Sequence, residues 1–310
     1  MLQSVEHPAS SQARQINRLF NDFNIAAAGM LFLVIGLVVF ICLRYRAKGD
    51  KSEGDQQTGN NLLEGLMIGI PAILLGWFFI KSVGTARAIT PGSDPARKPD
   101  IVITGHQWWW EVEYPGSGAI TANEVHLPVG IPILMEMRSG DVIHDWWVPE
   151  LGNKTDLVPG NKNYLSVDID KPGDYYGSCS EFCGAQHAWM RIHVVAESPG
   201  DFAAWLSANG KPALPPADSL SKEGAALFQI HTCANCHRIG GTAAIAGAGP
   251  DLTHVGSRRT ILTGILPMNE AGLASWISHP QQIKPGARMP DFIFSKDSIA
   301  AIAHYLAQLK

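Results

Sequence analysis

The chain has 310 residues, enough for two or three domains. Charged residues make up 17%, below the roughly 25% of ordinary soluble chains, and hydrophobic residues 46%, which excludes a disordered protein and directs attention to membrane spans. The net charge of −4 excludes a generally basic nucleic-acid binder, and 5 cysteines are too few for a disulfide scaffold.

Residues 25–43 carry no charge and as a helix reach about 28 Å, enough to cross a bilayer core. A second apolar run extends from residue 62 to about residue 83 and carries Glu64, Pro71 and Lys81. Arg44, Arg46, Lys48 and Lys51 lie between the two runs, against Arg14 and Arg18 in the tail before them. This bias predicts a cytoplasmic loop, with the tail and everything after the second span on the external face. The competing reading, a signal peptide, needs a shorter apolar core and a cleavage site, and neither is seen. The chain is therefore expected to begin at or near its mature start. Glu64 has two readings, a carboxylate at headgroup level or a group where protons enter. Cys42 reads as a small packing residue.

The second part of the chain, residues 98–205, reads as β structure. Segments 101–103, 111–114, 133–137 and 191–195 have strand composition and are separated by Pro/Gly turns, which predicts a β-sandwich or barrel. Residues 206–220 form a Pro-rich linker, leaving residues 1–97 as the tail and two-span hairpin and residues 221–310 as a helical domain. In its last segment Ile299, Ile302, Ala303 and Leu306 share one helix face. Residues 98–200 hold 6 Lys/Arg against 14 Asp/Glu, a net of −8, and residues 221–310 hold 8 against 5, a net of +3. Opposite signs on tethered domains favour docking of one on the other.

Within the β region, Cys179, Cys183, His187 and Met190 fall inside 12 residues. Thiolate, imidazole and thioether together select copper over hard cations. One cysteine more than a mononuclear blue-copper site needs allows two bridging thiolates, a pair of copper ions and one electron shared between them. The second imidazole must come from an upstream strand, where His144 is the best candidate. Met190 serves as the weak ligand of one copper, and the Glu181 carbonyl serves the other. A Cys179–Cys183 disulfide and a structural zinc site are the competing readings, and neither uses Met190. His106, His126 and His193 read as surface or core histidines.

Cys233-Ala-Asn-Cys236-His237 is the C-x-x-C-H signal for covalent c-type haem, with His237 as the axial ligand next to the attachment cysteines. Met289, on a Pro/Gly-rich loop, is the second axial candidate, and a Met/His pair suits electron transfer. Met268 is its rival, with His231, His254 and His279 behind. A thioredoxin-like C-x-x-C would need a βαβ context, which the segment lacks.

The order of these features resembles subunit II of haem-copper cytochrome c oxidase, in the form with a fused cytochrome c domain. The resemblance rests on the two-span hairpin, Gly105-His-Gln-Trp-Trp-Trp110, the His144 region, Lys154-Thr-Asp156 and the 179–190 loop, and it covers nearly the whole chain. It implies a two-helix transmembrane anchor, a cupredoxin-like β-domain and an all-α cytochrome c domain. Also implied are a dinuclear copper-A centre on His144, Cys179, Glu181, Cys183, His187 and Met190, and a Mg2+ ion shared with subunit I through Glu181. Trp108 is matched to the residue that takes electrons from cytochrome c, with Trp109 or Trp110 better suited to an aromatic belt near the headgroups. Glu64 is matched to the mouth of a proton path. Asp145 departs from the family's more usual serine. Gly224 and Phe228 are matched to the helix that crosses the C-terminal helix near Tyr305, and Pro250 to the residue whose carbonyl orients the axial imidazole. The implied role is electron input to an oxidase that reduces oxygen to water and pumps protons. The site of oxygen reduction is in a partner subunit, since two spans are too few to enclose it. Expected partners are subunit I and other oxidase subunits, cytochrome c or a similar donor and the lipid bilayer, with no nucleic acid, in a bacterial inner membrane. A membrane-tethered carrier serving another reductase and a copper assembly or storage protein are the alternatives. The hairpin with Glu64 argues against the first, and the haem motif argues against the second.

Overall fold

A computed structural model describes residues 4–46, 59–90 and 97–310. Two compact units form, one of residues 14–90 and one of the other described residues. In the first unit, α1 (Ser11–Arg44) and α2 (Asn61–Ile89) are both long and apolar enough to cross a membrane. The α1 helix begins well before the apolar run because no breaker intervenes, and its N-terminus is capped where the Ser10 hydroxyl accepts from the Ala13 amide at 3.0 Å. Its 34 residues span roughly 51 Å, longer than a bilayer core. Asn60 caps α2 by accepting from Leu63 N, and Glu64 lies exposed in the first turn. An Asp22–Lys81 ion pair at 3.3 Å and an edge contact between Phe23 and Phe78 join the helices. Lys48 and Lys51 lie outside the described residues.

The tail before α1 belongs to the second unit. Ala9 N donates to Glu150 O at 2.8 Å, Asp170 N donates to Ala9 O at 2.9 Å, and Ser10 bridges Ile169 in antiparallel fashion. Ser11 donates to the Asp168 carboxylate from its amide and its hydroxyl, and buried Ser10 donates to Leu151 O.

Ten strands form a sandwich of two five-stranded sheets: β1 (Ile101–His106), β2 (Trp109–Tyr114), β3 (Ala119–Ala122), β4 (Glu124–Pro128), β5 (Ile133–Ser139), β6 (His144–Trp147), β7 (Thr155–Leu157), β8 (Asn163–Val167), β9 (Gly173–Cys179) and β10 (Arg191–Glu197). One sheet has the order β3-β2-β1-β5-β8 and the other β4-β10-β9-β6-β7. The pairs β1/β5 and β4/β10 are parallel, and the remaining pairs are antiparallel. All four segments read as strands from the sequence are strands. In β2 the alternation turns Trp110, Val112 and Tyr114 inward. This corrects the headgroup-belt reading of Trp110, which is fully buried and edge-on to Trp146 at 5.1 Å. After β10, α3 (Pro199–Asn209) lies on the sandwich, where Trp205 stacks on His126 at 4.0 Å.

The last domain holds α4 (Ser219–Ile230), α5 (Glu270–Ser278), α6 (Pro280–Ile283) and α7 (Lys296–Gln308). Gly224 lies against α7, where a Cβ would fall 2.1 Å from the Ala301 carbonyl oxygen and 2.7 Å from Tyr305 Cβ. One turn on, Phe228 meets Tyr305 edge-on at 6.3 Å. This is the crossing expected from Gly224, Phe228 and Tyr305, and only a residue without a Cβ permits so close an approach.

Candidate functional site

Strand pairing assembles the copper-type donors at one end of the second sheet. His144 opens β6, Cys179 ends β9, and Trp146 pairs with Cys179 across the two strands. The chain then loops out and returns through a short 3-10 turn, His187–Trp189, so that Met190 directly precedes β10. Cys179 N donates to Met190 O at 2.9 Å and closes the loop at its base. Gly184 permits the bend, with φ +115° and its Cα against the Trp108 indole.

Cys183 Sγ lies 3.8 Å from Cys179 Sγ, 3.6 Å from His187 Nδ1 and 3.8 Å from Met190 Sδ. One donor atom each from His144, Cys179 and Cys183 falls within 4.8 Å of the others. The Glu181 carbonyl oxygen lies 3.2 Å from Cys179 Sγ. The sulfurs are free thiols, far beyond the roughly 2.05 Å of a disulfide. His144 Nε2 donates to Asp141 Oδ1 at 2.8 Å, and His144 Nδ1 is buried with no hydrogen-bond partner. A buried, unpaired imidazole nitrogen beside two thiols is a costly arrangement without a cation, so the residues fit a soft metal.

Ionisation agrees with that reading. Cys179 is held down to about 3, first by its hydrogen bond with Cys183 and then by His144, the Asp145 amide region and Glu181. The same hydrogen bond with Cys179, then burial and the Cys179 charge, push Cys183 up in turn. Burial pushes His144 down, but Cys179 and Asp141 outweigh it and raise it. Asp145 is buried opposite Asp156 and is pushed up to about 7, by burial first and by Asp156 second.

In the helical domain, Cys233 opens a one-turn 3-10 helix (Cys233–Asn235). His237 Nδ1 donates to Pro250 O at 2.8 Å, which leaves Nε2 as the lone-pair nitrogen. Burial holds the ring below its ordinary pKa, in the neutral form a metal ligand needs. A Cβ at Gly249 would fall 2.7 Å from His237 Cε1, so the ring is flanked by bare backbone. Ile230 precedes the segment, Ile245 bridges Arg238, and Ile293 follows Met289, yet all three are exposed. Exposed isoleucines in three segments of a domain with two free thiols and an oriented imidazole fit a haem. Met289 sits on a loop pinned by Gln281, which donates to the Ala287 and Met289 carbonyls at 2.7 Å. Met268 instead lines a cleft with Leu214, Glu270, His304 and Tyr305, none of them in the attachment segment.

A family model described as "Cytochrome C oxidase subunit II, periplasmic domain" matches residues 119–197, and one described as "Cytochrome c" matches residues 221–310. A relative from Alkalihalophilus pseudofirmus named cytochrome c oxidase subunit 2 is 34% identical over 294 residues, covering 93% of this chain and 85% of the relative. The chain belongs to the cytochrome c oxidase subunit 2 family. A second relative of that name, from Bacillus sp. (strain PS3), is 31% identical over 284 residues, 86% of this chain and 79% of the relative. The solved periplasmic domain of subunit II of cytochrome oxidase from Bradyrhizobium japonicum is 33% identical and covers 36% of this chain and 95% of that domain, with a TM-score of 0.35.

In this subunit 2 chain the histidines set aside in the sequence are paired with carboxylates. His106 meets Glu111 at 3.0 Å, and His126 meets Glu124 and Glu197, each at 3.1 Å. His193 meets Asp174 at 2.8 Å and Glu124 at 3.4 Å. That last cluster joins the two outer domains: Arg259 N donates to Glu124 at 3.1 Å, and its guanidinium pairs with Asp174. The acidic and basic domains do dock, as their charges imply. Burial pushes the His193 pKa down, but Glu124 and Asp174 outweigh it, so the net shift is upward. Its stabilisation is therefore complete below the ordinary histidine value of about 6.5 and is lost as pH rises through the raised value. His193→Gln is expected to cost about 1–2 kcal/mol at pH 6 and much less at pH 9, flattening that limb of a thermal-unfolding series.

Sequence reasoning missed Asp141, Gln107 and Gln186. Asp141 Oδ2 accepts from Gln107 N at 2.7 Å, while Gln107 Nε2 and Trp108 Nε1 donate to Cys183 O at 2.8 and 2.9 Å. The spacing Asp141-x-x-His144 was the available signal, because a metal-ligating imidazole needs a partner for its other nitrogen.

Proposed function

We propose that this chain is the electron-input subunit of a proton-pumping cytochrome c oxidase, accepting electrons from an external donor and passing them to subunit I, where oxygen is reduced. The observation that carries the reading is the convergence of Cys179, His187 and Met190 on Cys183 Sγ, with His144 offering a donor atom within 4.8 Å of those of both cysteines and a buried ring nitrogen without a partner. These five side chains and the Glu181 carbonyl would hold a copper pair. Cys233, Cys236, His237 and Met289 would hold a covalent haem. Bound there, the two groups supply reversible one-electron chemistry. The chain's own part is to hold them rigidly and out of water: strands fix His144 and Cys179, Pro250 fixes His237, and Asp141 fixes the His144 tautomer. Such rigidity suits electron transfer, which needs donor positions that do not move between oxidation states.

The finer assignments belong to the same proposal. The tail and the β-domain are hydrogen-bonded to each other, which supports placing both on one side of the membrane, and the basic loop supports the cytoplasm for the other side. The first-turn position of Glu64 in α2 then supports the cytoplasmic end for it, where a proton path would begin. Exposed Glu181 offers its carboxylate to a Mg2+ ion completed by subunit I, since one carboxylate alone does not make such a site.

The test is purification of the native complex with metal analysis and copper EPR. A signal split equally over two nuclei, co-purifying with a large haem-bearing membrane subunit, is the expected result. A single copper, or a solitary chain, would overturn the reading. Asp141→Asn is expected to lower copper affinity about 10–100-fold by loosening the His144 tautomer, read by competition with a chelator.

A further inference from the structure

The loop from Lys284 to Met289 lies on the copper-binding end of the sandwich. Lys284 is only 5% exposed and donates from Nζ to Trp108 O at 2.8 Å. Gln186 Nε2 donates to Pro285 O at 2.5 Å. Gly286, at φ +81°, passes so close that a Cβ there would stand 3.6 Å from Ala185 Cβ and 3.9 Å from the Trp108 ring. Arg288, next to Met289, donates to Gln107 Oε1 at 3.2 Å and to Asp141 Oδ2 at 3.3 Å.

These contacts complete two hydrogen-bonded routes from the loop to the copper donors. One runs from Lys284 to Trp108 O, then from Trp108 Nε1 to Cys183 O at 2.9 Å. The other runs from Arg288 to Asp141 and from Asp141 to His144 Nε2 at 2.8 Å. Simple packing of two domains does not call for a lysine here. A buried ammonium on a backbone carbonyl pays desolvation that an apolar side chain would avoid. Burial lowers the Lys284 pKa to about 8. A costly contact placed on the very residue that bonds to Cys183 marks a positioning role.

We propose that Lys284 and Arg288 are positioning residues that seat the Met289 loop on Trp108, reserving the copper-binding end for this chain's own haem domain and closing it to soluble electron carriers. The proposal rests on the functional reading above and names the partner of the Trp108 face.

The test compares the wild-type oxidase complex with Lys284→Met, Lys284→Arg and Arg288→Glu. Two quantities are read: amide exchange of residues 284–289, Gln107 and Trp108, and the rate of electron equilibration from haem to copper after photoreduction. Lys284→Met and Arg288→Glu are expected to raise exchange about tenfold, the population change expected on losing a charge-assisted hydrogen bond, and to slow equilibration. Lys284→Arg is expected to retain both wild-type values. Arg288 is 63% exposed, so its variant keeps the question open even if Lys284→Met fails to fold. Wild-type protection and rate in both Lys284→Met and Arg288→Glu, or a soluble cytochrome c that reduces copper before haem in the wild type, would sink the proposal. A wild-type complex with no paired-copper signal would overturn the functional reading instead, and the exchange data would still decide the seating.

Discussion

Cys183→Ser is expected to abolish the electron-sharing copper pair. Cys183 Sγ is the hub of the site, within 3.6–3.8 Å of Cys179, His187 and Met190. A serine hydroxyl is harder and does not ionise near neutral pH, so it cannot replace a bridging thiolate. Copper affinity should fall by more than about 100-fold, beyond the effect of a lost outer hydrogen bond. The EPR signal should change from one shared by two nuclei to that of a single copper or none. Haem absorption should be unchanged, because Cys233 and Cys236 belong to a different domain. Retention of the paired signal would mean that Cys183 does not bridge.

The second large effect is expected at Gly224, and it strikes the haem domain through packing alone. A Cβ at 2.1 Å from the Ala301 carbonyl oxygen meets rigid helix backbone, so α4 and α7 must separate. Gly224→Ala should cost about 3 kcal/mol or more, the upper range for an overpacked core. Gly247→Ala is the control: nothing lies within 4 Å of a Cβ there, so the change should stay within about 0.5 kcal/mol. Thermal unfolding followed at the haem band would distinguish them. Equal melting temperatures would show that the helices can part at little cost.

The sulfur-rich loop was legible because chemistry confines it: two cysteines, a histidine and a methionine within 12 residues have few other uses. His144 was picked out for a related reason, since the proposed pair of metals needs a second imidazole, and it does fall beside the two cysteines. The four strands were legible through turn residues at their ends and β-branched composition. The sequence did not reveal which way Trp110 faces, because three consecutive tryptophans have no alternation until the register of β2 against β1 is known. The full length of α1 was hidden because its first turns are polar and helix continuity there depends on the Ser10 cap. Lys284 and Arg288 were invisible as site residues because each acts across a domain junction, whereas Asp141 left a signal in its spacing from His144 that the reading passed over. Charge totals predicted that the two outer domains attract, but not which loop would meet which tryptophan.

The N-terminal tail has a practical consequence for anyone isolating the β-domain. Ile169 has Val129 on one side and Ser10 on the other, and Glu150, Leu151 and Asp170 each bond to residue 9 or 10. A soluble fragment cut just after the second helix would therefore take from the Glu150 and Leu151 carbonyls and the Asp170 amide their tail partners and open them to a neighbouring copy. Such a fragment should self-associate on storage, and restoring residues 4–13 as a leading extension should keep it monodisperse.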